Sequence, residues 1–309
     1  MNNSAVSTSM CTECKPSTKR VMLDLLIALA PAAIASIVLF GFKAAVMIAV
    51  CMVTAMLSEY FFNKICKRDQ TVGDLSAAVT GLLLALNLST NVTIWQCLVG
   101  SFFAIIIVKC AFGGLGYNFA NPAITARVML LIAFSEVAGG AMTVFAELES
   151  GATPLAILGG VNGTPPTMLD MLIGNRGGAI GETCAIALIL GGIYLLIRKV
   201  ISWHIPVVYI GTVFLFSFAL SGDVITAVYH VLGGGLLIAA FFMITDYVTT
   251  PINPAGKIVF ALGCGVITVL IRFWSNYPEG VSFAILIMNI LSPYIEKLCT
   301  KKPFGKVDK

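Results

Sequence analysis

An all-α integral membrane protein with about ten transmembrane helices is the fold class this sequence predicts. Three observations lead there. Of 309 residues, 58% are hydrophobic and only 11% charged, whereas soluble domains carry about 25% charged residues. That is too few to clothe a water-exposed surface. Apolar runs close to the roughly 20 residues needed to cross a bilayer recur along the whole chain. The basic residues gather in alternate connections, as they do when those connections face one side of a membrane. The only histidines, His204 and His230, are too scattered for a multi-histidine metal site.

Eight runs are clear: Val21–Phe40, Lys43–Phe62, Trp95–Phe112, Gly178–Ile197, Pro206–Leu220, Ala227–Thr245, Lys257–Phe273 and Val281–Leu298. Two are weaker. Gly73–Leu88 carries Asp74, Ser76, Thr80 and Asn87, and Pro122–Phe134 is short and carries Arg127. Interrupted or half-length helices survive in a membrane where protein or water satisfies their polar groups, so both are expected to face the bundle interior. Met1–Arg20 is polar and contains no apolar run ahead of a small-residue cleavage site, so it does not read as a signal peptide.

Orientation follows from the cations. Lys15, Lys19 and Arg20 precede the first span. Lys64, Lys67 and Arg68 follow the second, Arg198 and Lys199 follow the sixth, and Lys301, Lys302, Lys306 and Lys309 end the chain. With ten spans all four groups fall on one side, the cytoplasmic one. The opposite side receives the long connection Ser135–Gly177, with Glu136, Glu147, Glu149 and Asp170 against Arg176. The chain thus divides into a cytoplasmic tail (1–20), a first membrane half (21–134), an extracytoplasmic loop (135–177), a second membrane half (178–298) and a basic cytoplasmic tail (299–309). Five spans per half is an odd number, which predicts a five-plus-five inverted repeat. Asn-Pro-Ala occurs at Asn121–Ala123 and Asn253–Ala255. This topology puts both copies on the cytoplasmic side, so they read as two good helix starts rather than a shared pore.

Chemistry-bearing residues are sparse. Of nine cysteines only Cys11 and Cys14 form a CxxC pair, short of the four ligands of a structural metal site. Ten ionisable residues sit at or just inside span ends: Asp24, Glu59, Asp74, Lys109, Arg127, Glu182, Asp246, Lys257, Arg272 and Glu296. Interfacial anchoring is the default for them. Asp74 and Asp246, beside polar or interrupted helix starts, are the best candidates for an ion path, because broken helices expose the oxygens that a cation needs. In the outer loop, Thr153 stands between Gly151–Ala152 and Pro154. No histidine or cysteine is near to activate it, so it reads as a modification acceptor or as part of an ordinary helix entry.

Six blocks carry a resemblance: RVMLDLLIALAPA (Arg20–Ala32), TVGDLSAAVTGLLLALNL (Thr71–Leu88), FGGLGYNFANPAITAR (Phe112–Arg127), SGATPLA (Ser150–Ala156), DYVTTPINPAGK (Asp246–Lys257) and YPEGVSFAILIMNILSP (Tyr277–Pro293). In order and over most of the chain they resemble the RnfD/NqrB family, whose members belong to the Rnf electron-transport complex and to the sodium-pumping NADH:quinone oxidoreductase. The short N-terminus and overall length look more like the Rnf members. The resemblance implies an electron-transport flavoprotein of a prokaryotic cytoplasmic membrane. It implies FMN joined through a phosphoester to Thr153 by a flavin transferase, which recognises the flank Ser150, Gly151 and Ala152. Glu147 and Leu148 stand where that family's motif has Asp and Gly. It also implies a second, non-covalent flavin, riboflavin. Gly113, Gly114, Asn118 and Asn121 are the candidates for that site, although a tight turn with capping asparagines explains them equally well. The implied partners are RnfA, RnfB, RnfC, RnfE and above all the flavin-bearing RnfG. The implied reaction couples electron transfer from ferredoxin to NAD+ with movement of Na+ or H+. The chain holds neither a nicotinamide nor an iron–sulfur motif, so it is one subunit of that enzyme. The competing readings are a solute channel or carrier of urea-transporter-like architecture and a docking scaffold. A covalent flavin on Thr153 separates the first reading from both.

Overall fold

The computed structural model describes residues 17–134, 153–160, 165–275 and 280–299. Thirteen helices are described: α1 (Thr18–Phe40), α2 (Phe42–Ile65), α3 (Ser76–Leu86), α4 (Ile94–Phe102), α5 (Pro122–Ala133), α6 (Pro154–Leu158), α7 (Met168–Ile173), α8 (Ala185–Ile197), α9 (His204–Ser221), α10 (Val224–Leu232), α11 (Leu236–Ile238), α12 (Pro254–Trp274) and α13 (Val281–Cys299). Two widen into π-helix, α4 into Phe103–Cys110 and α11 into Ala239–Met243. Helices α1, α2, α9, α12 and α13 are each long and apolar enough to cross a bilayer. Helix α10 and the segment Leu236–Met243, bent by 61° to each other, are together long and apolar enough for one further span. The shorter apolar helices are α3, α4 with its π extension, α5 and α8. Together these account for the ten segments read from the sequence, and the protein is a multi-pass membrane protein.

Two segments differ from that reading. Ala227–Thr245 is broken at Gly233–Gly235, where Gly234 and Gly235 take φ of 65° and 68°, a left-handed conformation that glycine adopts without steric cost. The first residues of Gly178–Ile197 are non-helical. There Ile180 and Gly181 donate their N–H groups to the carbonyls of Leu88 and Leu86 at the end of α3, at 2.9 and 2.7 Å. This return strand of chain satisfies a helix end that stops inside the bundle.

Packing repeats in pairs. Helix α2 packs on α3 and on α4, and α9 packs on α10 and on α12. Across the halves α1 meets α8 and α5 meets α13. These are the equivalences that a five-plus-five order requires. Small residues set the closest approaches, as is usual where lipid tails compete with side chains for apolar contact. A Cβ on Gly191 would stand 2.1 Å from the carbonyl oxygen of Ala28, and one on Gly81 2.6 Å from that of Cys51. Both Asn-Pro-Ala starts are helix caps. Asn121 accepts from the N–H groups of Ala123 and Ile124, and Asn253 accepts from that of Ala255.

Helix ends segregate into two faces. At one, Arg198 pairs with Asp24, Arg68 donates to the carbonyl of Cys110, and Asn253 donates to that of Cys299. At the other, Tyr229 donates to the carbonyl of Pro166, and Arg272 reaches His230, Gly233 and Gly234. The first face carries the basic connections of the sequence.

Candidate functional site

Five of the ten span-end ionisable residues are buried rather than anchored at an interface: Asp24, Glu59, Lys109, Arg127 and Glu182. At the basic face two of them, Glu59 and Lys109, build a network. Lys109, in the first π segment, donates to Glu59 Oε1 at 2.8 Å and to Ser76 Oγ at 2.6 Å. Thr71 donates to the same Glu59 oxygen at 2.7 Å. Ser76 donates in turn to Asp74 Oδ1 at 2.5 Å, and that oxygen also accepts the backbone N–H of Ser76. Asp74 therefore holds Ser76, the first residue of α3, and ends a hydrogen-bonded chain that begins on a buried lysine. A buried ion pair of this kind is tolerable only because each charge has further hydrogen bonds.

Lys109 and Ser76 line a cavity between the two membrane halves, about 700 Å³ of empty space with its open mouth included. Leu25, Val79, Leu83 and Phe242 give it apolar walls, and Asn118, Asn121 and Asp246 supply polar groups. Both π segments reach it, one through Lys109 and the other through Phe242. Asn118 donates to the carbonyl of Ala120, and Asn121 reaches the carbonyl of Met243 while capping α5. The structure brings Asn118 and Asn121 to the cavity but not Gly113 and Gly114. Those glycines turn the chain outside it, with φ of 122° and 98°. Asp246 is half-buried and accepts from the N–H of Val248 at 3.3 Å and the hydroxyl of Thr249 at 3.4 Å. Burial holds its carboxyl above the ordinary aspartate range, against those two hydrogen bonds.

Thr153 lies at the opposite face. It is the N-cap of α6, and its hydroxyl oxygen accepts the N–H of Ala156 at 3.2 Å. Only 5% of it is exposed, as with Leu155. It is thus not on a loop clear of the packed spans. Leu155 presses on the break between α10 and α11, where a Cβ on Gly234 would meet its Cδ1 at 2.4 Å. The apolar leucine gains burial there, and the glycines leave the groove that accepts it. Ser150, Gly151, Ala152, Glu147 and Leu148 lie outside the described residues, as do Cys11 and Cys14.

Two arginines that the sequence pattern gave no role at a site hold the break together. Arg176, fully buried, donates to the carbonyls of Leu232 at 2.7 Å and Glu182 at 2.9 Å. Arg272 donates to those of His230, Gly233 and Gly234. Both satisfy carbonyls left unpaired where α10 ends. The signal that could have found this was the run Gly233–Gly234–Gly235 inside an otherwise unbroken apolar segment. Deeper in, Arg127 donates to Asn87 at 2.9 Å. The Arg127 guanidinium and the Glu182 carboxylate both lie against Gly235.

Comparison with known proteins covers nearly the whole chain. A family model described as the NQR2, RnfD, RnfE family matches residues 5–305. The chain is 42% identical over 307 residues to the D subunit of the Na(+)-translocating ferredoxin:NAD(+) oxidoreductase complex of Acetobacterium woodii, covering 98% of this chain and 96% of the relative. It is 39% identical to the D subunit of the proton-translocating ferredoxin:NAD(+) oxidoreductase complex of Clostridium ljungdahlii, covering 97% and 96%. It is 34% identical to the D subunit of the ion-translocating oxidoreductase complex of Stutzerimonas stutzeri, covering 94% and 93%.

Proposed function

The chain belongs to the NQR2, RnfD, RnfE family, and from that premise we propose that it is the membrane flavoprotein subunit of an Rnf-type complex coupling ferredoxin:NAD+ electron transfer to Na+ or H+ movement. The observation that carries this reading is full-length likeness to the D subunits of such complexes. On this reading the basic face is cytoplasmic, by the distribution of Lys and Arg, and Thr153 faces the other side. The neighbours are the remaining subunits of the complex, with the flavin-bearing RnfG closest to Thr153. A flavin transferase acts on that threonine.

The cavity lining suits a flavin ring, and Thr153 offers a second flavin a hydroxyl that this fold keeps buried. A phosphoester at Thr153 would be carried by the hydroxyl oxygen that now accepts the Ala156 N–H at 3.2 Å. The cavity is walled by aliphatic and aromatic side chains with a few amides at its edge, the composition of a site for a largely apolar ring. Asn118 and Asn121 would hold the ring's polar edge there. A bound flavin supplies one- and two-electron chemistry, and the protein's part is to bind it, orient it and keep water from it. Lys109 reaches the cavity wall already neutralised by Glu59 at 2.8 Å, so it offers the occupant a hydrogen-bond donor rather than a net charge.

The test uses everted membrane vesicles from a host whose complex lacks only this chain. Ferredoxin-dependent NAD+ reduction, 22Na+ uptake and acidification should all be lost and should return with the wild-type chain. Electron transfer that persists at full rate without the chain refutes the reading, and solute flux through the purified chain alone favours the channel. In the same vesicles Asp246→Asn, at the edge of the cavity, should slow ion uptake at least tenfold and lower flavin content far less. The neutral variant removes a carboxylate that burial already disfavours, so its melting temperature should not fall. Unaltered ion dependence would remove Asp246 from the path.

A further inference from the structure

A second cavity opens at the basic face where the start of α1 meets the end of α8. It holds about 530 Å³ of empty space with its open mouth included, and Arg20, Asp24, Arg198, Lys199 and Tyr247 line it. Arg198 is committed to Asp24, 3.2 Å away, and Tyr194 donates to the same carboxylate at 3.0 Å. Arg20 and Lys199 have no carboxylate partner among the described residues. Two uncompensated positive charges therefore face one cavity.

The backbone at Lys199 adds an independent observation. Lys199 donates its N–H to the carbonyl of Leu196, and Val200 donates to that of Leu195, which closes α8 in a Schellman turn. Lys199 takes φ of 55° to do so. Glycine is the usual residue there, and a side chain in this conformation is strained. The fold thus carries a strained cation at the rim of a cavity that already holds an excess of positive charge.

The surroundings specify what kind of anion fits. Arg20, Leu23, Ile27 and Ile34 share the outward face of α1 at helical spacing, and Leu190, Ile193 and Ile197 share that of α8. Both apolar stripes end at the cavity. Tyr247, which lines the cavity, and Trp203, just beyond the turn that ends α8, are both exposed, as amphipathic rings are at a headgroup boundary. We propose that this pocket binds the phosphate of an anionic phospholipid, whose acyl chains lie along the outward stripes of α1 and α8. Basic pockets between helices at a cytoplasmic boundary suit such headgroups, at about 1 kcal/mol per basic residue near the surface.

The experiment is native mass spectrometry of the full-length chain in mild detergent, titrated separately with phosphatidylglycerol, phosphatidylcholine and inorganic phosphate. Phosphatidylglycerol should bind at roughly 20–30-fold lower concentration than phosphatidylcholine, the product of two charges at about fivefold each. Lys199→Gly should lose about fivefold of that preference while melting no lower than wild type, because glycine relieves the backbone. Arg20→Gln combined with Lys199→Gly should abolish the preference, and Lys297→Gln on α13 should leave it intact. Equal binding of the two lipids, or a preference that survives the double variant, overturns the proposal. Inorganic phosphate that saturates the pocket and displaces phosphatidylglycerol assigns it to a soluble anion and overturns the lipid assignment.

Discussion

Replacing Thr153 with alanine should abolish covalent flavin and leave a folded chain. The only hydrogen bond lost from the described structure is the one that Ala156 donates to the threonine oxygen. Loss of a capping side chain costs about 1 kcal/mol, small beside the burial of Leu155 and the rest of the bundle. The assay is co-expression with a flavin transferase, denaturation in detergent and illumination of the gel. Wild type should show a fluorescent band and Thr153→Ala a dark one, with melting temperatures within a few degrees. A fluorescent Thr153→Ala band would move the ester elsewhere. A dark wild-type band beside a labelled control protein would mean that Glu147 and Leu148 have broken the transferase signal.

The second large effect belongs to the charge network. Glu59 is 1% exposed and Lys109 2%, so neither charge can turn to water if its partner is removed. Lys109→Met and Glu59→Gln should each destabilise the chain by about 3–5 kcal/mol, the usual cost of orphaning one member of a buried pair. Combining them should recover most of that loss, since a neutral pair of similar volume leaves no charge stranded. Thermal unfolding of the purified single and double variants measures the coupling. Additive losses would show that the two residues do not depend on each other.

Much of the architecture was legible in the residues. The ten segments, the ends where cations gather and the caps at Asn121 and Asn253 follow from hydropathy, charge and helix-start chemistry, which are local quantities. What was not legible is what depends on partners far along the chain. A span-end lysine at 109 and a glutamate at 59 each look like interfacial anchors until the fold sets them 2.8 Å apart. Asp74 looked like a cation ligand, and its nearest task is to hold the start of α3. Asn118 and Asn121 line the cavity, while the glycines before them do not, because their left-handed turn carries the backbone outward. The break at Gly233–Gly235 had a visible signal in its three glycines. The arginines that clamp it come from positions 176 and 272, and no window of sequence contains both.

On the proposed reading, the burial of Thr153 sets an order of events in the making of the protein. With Leu155 lodged against Gly234 and the hydroxyl turned into its own helix, the finished fold offers an enzyme almost no grip on Thr153. On the proposed reading, flavin transfer belongs to the interval after the chain has crossed the membrane and before α6 settles on α10. Maturation then has a deadline, and packing imposes it. Supplying transferase during synthesis should label the chain fully, and supplying it to the purified, folded chain should label little unless Leu155→Ala loosens the seat. Equal labelling in both regimes would show that α6 lifts freely.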